Sequence, residues 1–275
     1  MEQEKKLSKK IIITGGGSGG HVSVSSAIIE GLKDRYNIPY ESLLYVGGDL
    51  GMMNEQKGES IEQKRFCNAD FQTEYIRAGK LQRTVSIKGI TLALRTILGF
   101  IDSVRIINKF KPDLVISTGG FVSVPVCVTA HFKKIPIYLH EQTAAIGLSN
   151  KLISRYAKKI FITFEESLKY FPKDKTVHTG NVIRRAIFSK TGNGEIVESL
   201  KKMIVFQEKY PIIYISGGGQ GSHIINSSIR EVLPLLLQNF QIILQTGDNE
   251  EYKDFDLCIA DKKKLPAELS ERFIP

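Results

Sequence analysis

Two runs of β-forming residues each end in a cluster of glycines, and this punctuation constrains the fold more than any other feature of the chain. Ile11-Ile12-Ile13-Thr14 runs into Gly15, Gly16, Gly17, Ser18, Gly19, Gly20 and His21. Ile212-Ile213-Tyr214-Ile215-Ser216 runs into Gly217, Gly218, Gly219, Gln220 and Gly221. A buried parallel strand ending in such a turn, with a helix behind it, presents backbone N–H groups at the positive end of the helix dipole. That geometry receives phosphate or developing negative charge. Two copies predict two α/β units facing one cleft, and therefore two anionic or polar ligands.

The rest of the chain keeps the same rhythm. Short apolar runs at 11–14, 43–46, 113–117, 136–139 and 160–163 alternate with longer helical patterns, as in a parallel sheet covered on both faces. A second series follows residue 181. It comprises a helix near 195–206, a strand at 212–216, a helix near 222–238, a strand at 241–245 and a third strand at 256–260. Leu269 to Pro275 read as the approach to another strand. Gly192-Asn193-Gly194 is the most flexible stretch between the two series, and the boundary is placed within 180–194. The expected domains are 10–180 and 181–275. A Rossmann-like domain needs roughly 120 residues or more. The second domain is therefore expected to be incomplete.

Composition narrows the partners. Lys and Arg number 38 against 29 Asp and Glu, a formal charge of +9. Such a surface favours phosphates, nucleic acid or anionic lipid. Cys67, Cys127 and Cys258 are scattered without ligand spacing, which argues against a disulfide framework. No secretory signal and no stretch of about eighteen apolar residues is found.

Gly15-x-Gly17-x-x-Gly20 also fits the dinucleotide fingerprint, so a NAD enzyme is the rival reading of this motif alone. That fingerprint wants an acid about twenty residues on. The nearest candidate, Asp49, comes later, inside Gly47-Gly48-Asp49. A Walker P-loop is excluded because no Gly-Lys-Ser/Thr follows. His21 sits where loop becomes helix. It is either a packing histidine or a general base kept neutral by the positive helix end. Gly119-Gly120-Phe121-Val122-Ser123-Val124-Pro125 and His140-Glu141-Gln142-Thr143 each follow a strand, at the edge where open α/β sheets bind ligands. Arg184, at the boundary, is a hinge charge or a phosphate ligand.

Between Lys80 and Lys111 the basic residues Lys80, Arg83, Lys88, Arg95, Arg105, Lys109 and Lys111 oppose only Asp102, with aliphatic residues interleaved. This is either a long core helix with solvated charges or a surface that dips into an anionic bilayer. Aliphatic rather than aromatic interleaving argues against nucleic acid.

Taken in order, Gly16-Gly17-Ser18-Gly19-Gly20-His21, Gly119-Gly120-Phe121-Val122-Ser123-Val124-Pro125, His140-Glu141-Gln142, Gly180-Asn181-x-x-Arg184 and Gly217-Gly218-Gly219-Gln220-Gly221 resemble the MurG family. These are peptidoglycan glycosyltransferases of the GT-B architecture. The resemblance implies two Rossmann-like domains, the first taking the acceptor and the second the donor. It implies transfer of N-acetylglucosamine from UDP-N-acetylglucosamine to lipid I, an undecaprenyl-diphosphate-linked muramyl peptide. The product is lipid II, made at the anionic cytoplasmic face of the membrane by a peripheral protein. Inversion by direct displacement is implied, without cofactor or active-site metal. His21 and Glu141 are the implied catalytic pair, either of them the base. Ser18, Gly19, Gly20, Gly120, Gln142 and Asn150 fall on the acceptor side. Arg184, Gly218, Gly219, Gln220 and Asn226 fall on the donor side. A non-catalytic acceptor-binding fragment and a glycolipid glycosyltransferase are the alternatives. Departures from the family pattern are Ser18 for threonine, Thr143 for asparagine, Val182 for proline and Gly219 for serine. The later donor motif of the family is absent, so the resemblance implies a truncated enzyme, a fold completed by a second polypeptide, or a protein that no longer catalyses; truncation is the favoured reading, and the 275-residue chain alone is expected to transfer no sugar.

Overall fold

A computed structural model describes residues 9–49, 60–78, 87–188, 198, 207–219, 221–247 and 251–275, with side chains of 87–94 excluded. The helix expected near 195–206 apart from residue 198, Gly192-Asn193-Gly194, Gln220, Lys80 and Arg83 lie outside the described residues. Contacts divide the chain into two compact units, Met1–Phe188 and Ser189–Pro275.

The first unit is a seven-stranded sheet in the order β3-β2-β1-β4-β5-β6-β7. The strands are β1 (Ile11–Gly15), β2 (Leu43–Gly48), β3 (Gln72–Ile76), β4 (Leu114–Gly119), β5 (Ile137–Glu141), β6 (Lys159–Ile162) and β7 (Thr176–His178). Every pairing is parallel, so all carboxyl ends share one edge. The helices are α1 (Gly19–Tyr36), α2 (Ile61–Phe66), α3 (Ile87–Phe110), α4 (Ser123–Phe132) and α5 (Leu148–Ile153).

Continuous apolar strands follow from burial on both faces. Ile12, Val115, Leu139 and Ile160 pack with Ile107 of α3 and Val126 and Ala130 of α4. Ile11, Ile13, Leu43 and Tyr45 pack with Val22 and Ile29 of α1 on the opposite side. Each such isoleucine contributes about 1.5–3 kcal/mol of burial. Helix α1 stops at Asn37, whose φ of 48° is left-handed. The Asn37 N–H closes on Lys33 O at 3.0 Å, and the next residue, Ile38, is fully buried.

The second unit carries the parallel sheet β10-β9-β8, built from β8 (Ile212–Ser216), β9 (Gln241–Gln245) and β10 (Phe273–Ile274). Its described helices are α6 (His223–Leu236), α7 (Asp254–Lys264) and α8 (Ala267–Ser270). Leu233, Leu237, Ile242, Leu244 and Phe273 form its core.

The strand expected at 256–260 is instead part of α7. Asp254 and Asp256 occupy its first turn, and Lys262, Lys263 and Lys264 its last, which complements the helix dipole at both ends. That charge pattern outweighs a short apolar run. β10 stands where an approach to a strand was read.

Candidate active site

Three loops open at the shared carboxyl edge of the first sheet, after β1, β4 and β5. The first two are wedged together. The Gly16 N–H donates to Gly119 O at 3.2 Å. Gly120 has φ +87°, and a Cβ there would lie 2.0 Å from Gly16 O. No other residue fits this turn.

The Gly17 N–H is not offered to solvent, against the expectation for a phosphate-binding turn. It donates to Glu62 Oε1 at 2.6 Å. Glu62, on α2, is fully buried, and a Cβ on Gly16 would meet its carboxylate at 1.9 Å. Burial first, and the charge of Glu62 next, push the Tyr45 phenol well above its ordinary range. The open part of the turn starts at Ser18. Ser18 is the N-cap of α1, but its side chain makes no capping bond. The first-turn N–H groups of Gly19, Gly20 and His21 are therefore left for a ligand.

His21 is tied to the end of β4. Its Nδ1–H donates to Thr118 O at 2.7 Å. The Thr118 hydroxyl donates to His21 O at 3.0 Å, so Ser25 Oγ must supply the proton in its 2.9 Å bond with Thr118 Oγ1. The Gln142 amide lies 2.5 Å from the same His21 nitrogen. Because that nitrogen carries the proton, the amide oxygen is the compatible group there. Nε2 remains as the basic nitrogen. Burial lowers the His21 pKa, against smaller opposing effects from Thr118 and the charge of Glu141. The positive helix end was the expected cause; desolvation is the larger one.

Glu141 is saturated. Oε1 accepts from Thr143 N at 2.9 Å and Thr143 Oγ1 at 2.6 Å, and Oε2 accepts from Asn150 Nδ2 at 2.8 Å. Both Glu141 and Asn150 are buried. The pair therefore braces the β5 loop around His21, and Glu141 acts on His21 through its charge, without direct contact. His21, Ser18, Gly120 and Phe121 line a cavity of 650 Å³ that extends past Leu148 to Lys151 and Arg155. Among the described residues no group of three or more His, Cys, Asp or Glu converges as a metal site requires.

On the donor side, Gly218 and Gly219 are exposed before α6, and Arg184 is half-buried in the first unit. Asn226 is fully buried; its Nδ2 donates to Thr246 O at 2.9 Å and to Asp254 Oδ2 at 3.0 Å. In this structure it is an internal brace of the β9 turn.

The charges of the 80–111 stretch are less free than expected. Arg95 pairs with Asp49 at 2.6 Å, Lys109 with Glu74 at 3.1 Å, and Asp102 with Arg77 at 2.6 Å. Acids supplied by β2 and β3 answer basic residues on α3, and a reading confined to one segment missed them. Ile97, Ile101 and Val104 nevertheless stand exposed along one face of α3, at 58%, 58% and 41%. No described helix is long and apolar enough to cross a membrane.

Sequence reading missed Glu62 and Thr118. The Ser60-x-x-Gln63 capping box marks the start of α2, but nothing local says that Glu62 reaches under a turn forty-five residues away. Thr118 works mainly through its backbone carbonyl, which no residue type advertises.

Residues 11–162 match the glycosyltransferase family 28 N-terminal domain. The chain is 37% identical over 258 residues to a UDP-N-acetylglucosamine–N-acetylmuramyl-(pentapeptide) pyrophosphoryl-undecaprenol N-acetylglucosamine transferase 3 of Bacillus thuringiensis, covering 90% of this chain and 68% of the relative. It is 39% identical over 269 residues to the transferase of Clostridium tetani, covering 94% and 69%. Among solved structures it is similar to Acinetobacter baumannii MurG, at 20% identity and TM-score 0.59, covering 94% of this chain and 64% of that one. It is also similar to a Neisseria meningitidis UDP-GlcNAc 2-epimerase bound to UDP-GlcNAc, at 18% identity and TM-score 0.60, covering 91% and 69%. The chain thus spans about two thirds of the length of the proteins it matches.

Proposed function

The chain belongs to glycosyltransferase family 28, and from that premise we propose that it takes part in peptidoglycan precursor synthesis, transferring N-acetylglucosamine from UDP-N-acetylglucosamine to lipid I. The observation that carries the reading is the imidazole of His21. It is fixed at Nδ1 by Thr118 O and stands at the mouth of an apolar cavity beside an uncapped helix end.

In this reading Nε2 takes the proton of the acceptor sugar hydroxyl. The oxygen attacks the anomeric carbon, the bond from that carbon to the diphosphate breaks, and UDP departs with the electron pair. Configuration inverts because attack and departure are on opposite faces. The first-turn N–H groups of α1 and the edge of the Gly120 turn hold the polar part of the acceptor. Glu141, Gln142 and Asn150 keep His21 and the β5 loop in register. The exposed turn at Gly218 and Gly219 takes the donor diphosphate.

A lipid-linked acceptor requires the protein to work at a bilayer. The exposed apolar face of α3 supports peripheral attachment to an anionic cytoplasmic membrane surface. The proposed acceptor domain is 10–180 and the proposed donor domain follows from 181.

The direct test is radiolabelled UDP-N-acetylglucosamine with a short-chain lipid I analogue, using this chain extended to the full length of the relatives it matches. Label in the lipid product, abolished by His21→Ala, supports the reading. Transfer to a non-muramyl glycolipid in preference to lipid I would replace it with the glycolipid alternative.

A further inference from the structure

The second unit holds an oriented imidazole that the mechanism above leaves idle. His223 is the first residue of α6, directly behind the turn Gly217–Gly221. Its Nδ1–H donates to Asp254 Oδ1 at 2.9 Å. Asp254 is buried at the start of α7, and its other oxygen accepts from Asn226 Nδ2 at 3.0 Å. Burial alone would raise the Asp254 pKa, but the bonds from Asn226 and His223 win and hold it below the ordinary carboxylate range. The carboxylate therefore stays ionised and fixes the imidazole with its proton on Nδ1. The ring of Tyr252 stacks on His223 with centroids 4.0 Å apart and planes 12° apart. Two restraints, one at an edge and one at a face, set the ring plane.

Nε2 has no hydrogen-bond partner among the described residues, and the His223 side chain is 38% exposed. The surrounding backbone is similarly uncommitted. Ser222 is the N-cap, yet its side chain makes no capping bond, so among the described residues it leaves the first-turn N–H groups of α6 uncapped. The turn is locked in place: a Cβ on Gly221 would lie 1.7 Å from Thr246 O, and one on Gly217 would lie 2.4 Å from Ser222 N. Nearby, Arg230 and Asp261 pair with each other at 2.6 Å, and Glu251 and Lys253 flank Tyr252 in the chain. No positively charged side chain of this turn does the work that His223 is placed to do.

We infer that His223 Nε2 binds an oxygen of the nucleoside diphosphate donor, with Asp254 as its positioning residue. The inference rests on the reading of the chain as a UDP-sugar transferase. On binding, Nε2 takes up one proton from solvent and shares it with the phosphate oxygen as an N–H···O bond, while Asp254 balances the resulting imidazolium. A buried Asp behind an imidazole is a costly arrangement for packing alone; facing a diphosphate it supplies a charge-assisted donor on a pre-set axis.

The 275-residue chain, labelled with ¹⁵N, tests this by titration with UDP and separately with inorganic pyrophosphate. Imidazole resonances are assigned to His223 by their loss in His223→Gln. Both probes should move the His223 Nε2 resonance to its protonated, hydrogen-bonded position together with the Gly218 and Gly219 amides. His223→Gln should weaken UDP about tenfold, as expected for one charge-assisted bond. Asp254→Asn should keep the glycine-amide shifts and lose the Nε2 response. Glycine-amide shifts with a silent His223 overturn the inference and leave the donor reading standing. If millimolar UDP moves neither, both are overturned. The titration of the parent chain decides even where a variant does not fold.

Discussion

At the scale of single residues, the site works by committing one end of each polar group and leaving the other end available. His21 gives Nδ1 to a backbone carbonyl and keeps Nε2. Replacing His21 by alanine should lower turnover by about 10² or more, with UDP affinity changed less than threefold on the order used for a donor-side bystander. Steady-state transfer rates and calorimetry measure the two separately; equal losses in both would deny His21 the role of base. Acidity offers a second check. Burial lowers the pKa of both His21 and His140. Between that lowered value and the ordinary imidazole pKa of about 6.5, the unfolded chain binds protons that the folded chain refuses. Stability should be complete above about pH 6.5 and fall as the pH drops below it. Urea midpoints at pH 7.5 and 5.5 should show the loss, and His21→Gln should shrink it. For the same reason kcat/KM should stay level from neutrality to below about pH 6.5 before its acid limb begins.

Among the elements, glycine positions differ sharply in what they tolerate. Gly120→Ala forces a positive-φ alanine against Gly16 O at 2.0 Å. Strain of this kind costs on the order of 1–3 kcal/mol before the clash is counted. Gly147→Ala, at the N-cap of α5 with nothing within 4 Å, should cost about 1 kcal/mol or less, from the lost N-cap preference alone. Denaturant midpoints of the two variants distinguish a fitted turn from a merely polar one. Helix α3 supplies the other element-scale test. Ile97→Glu with Ile101→Glu should abolish cosedimentation with anionic vesicles while leaving the fold intact, since both side chains are exposed. Binding unchanged by the pair would mark the apolar face as unrelated to lipid. Strands were readable wherever an apolar run met a glycine or followed a proline, as at Ile11, Leu114 and Ile137. β3 was not readable, because Gln72, Thr73 and Glu74 on an edge strand look polar, and 256–260 was misread because its charges act along the helix axis.

For the molecule as a whole, the first unit has two apolar layers and the complete His21 site within residues 9–188. A protein of those residues should unfold in one cooperative transition and keep the lowered pKa of His21. Non-cooperative melting would show that the second unit is needed. The candidate site was legible as far as residue types announce chemistry: His21, Glu141 and Gln142 do come together. What stayed hidden was the division of labour, because the bonds that spend Glu141 and Gly17 run to Thr143, Asn150 and Glu62, and are decided by packing.

The bond from His21 to Thr118 spans 97 residues of sequence. During synthesis the first glycine turn leaves the ribosome long before its partner exists. β1 can pair with β2 early, yet its other neighbour, β4, arrives only after α3 has been made. Until then the turn has neither Gly119 to hold Gly16 nor Thr118 to hold His21, and the apolar flank of β1 stays open. Long-range pairing of this kind is slow and leaves hydrophobic surface exposed in the interval. The nascent chain is therefore most exposed between the emergence of β1 and that of β4, and His21 cannot find its place before β4 has emerged.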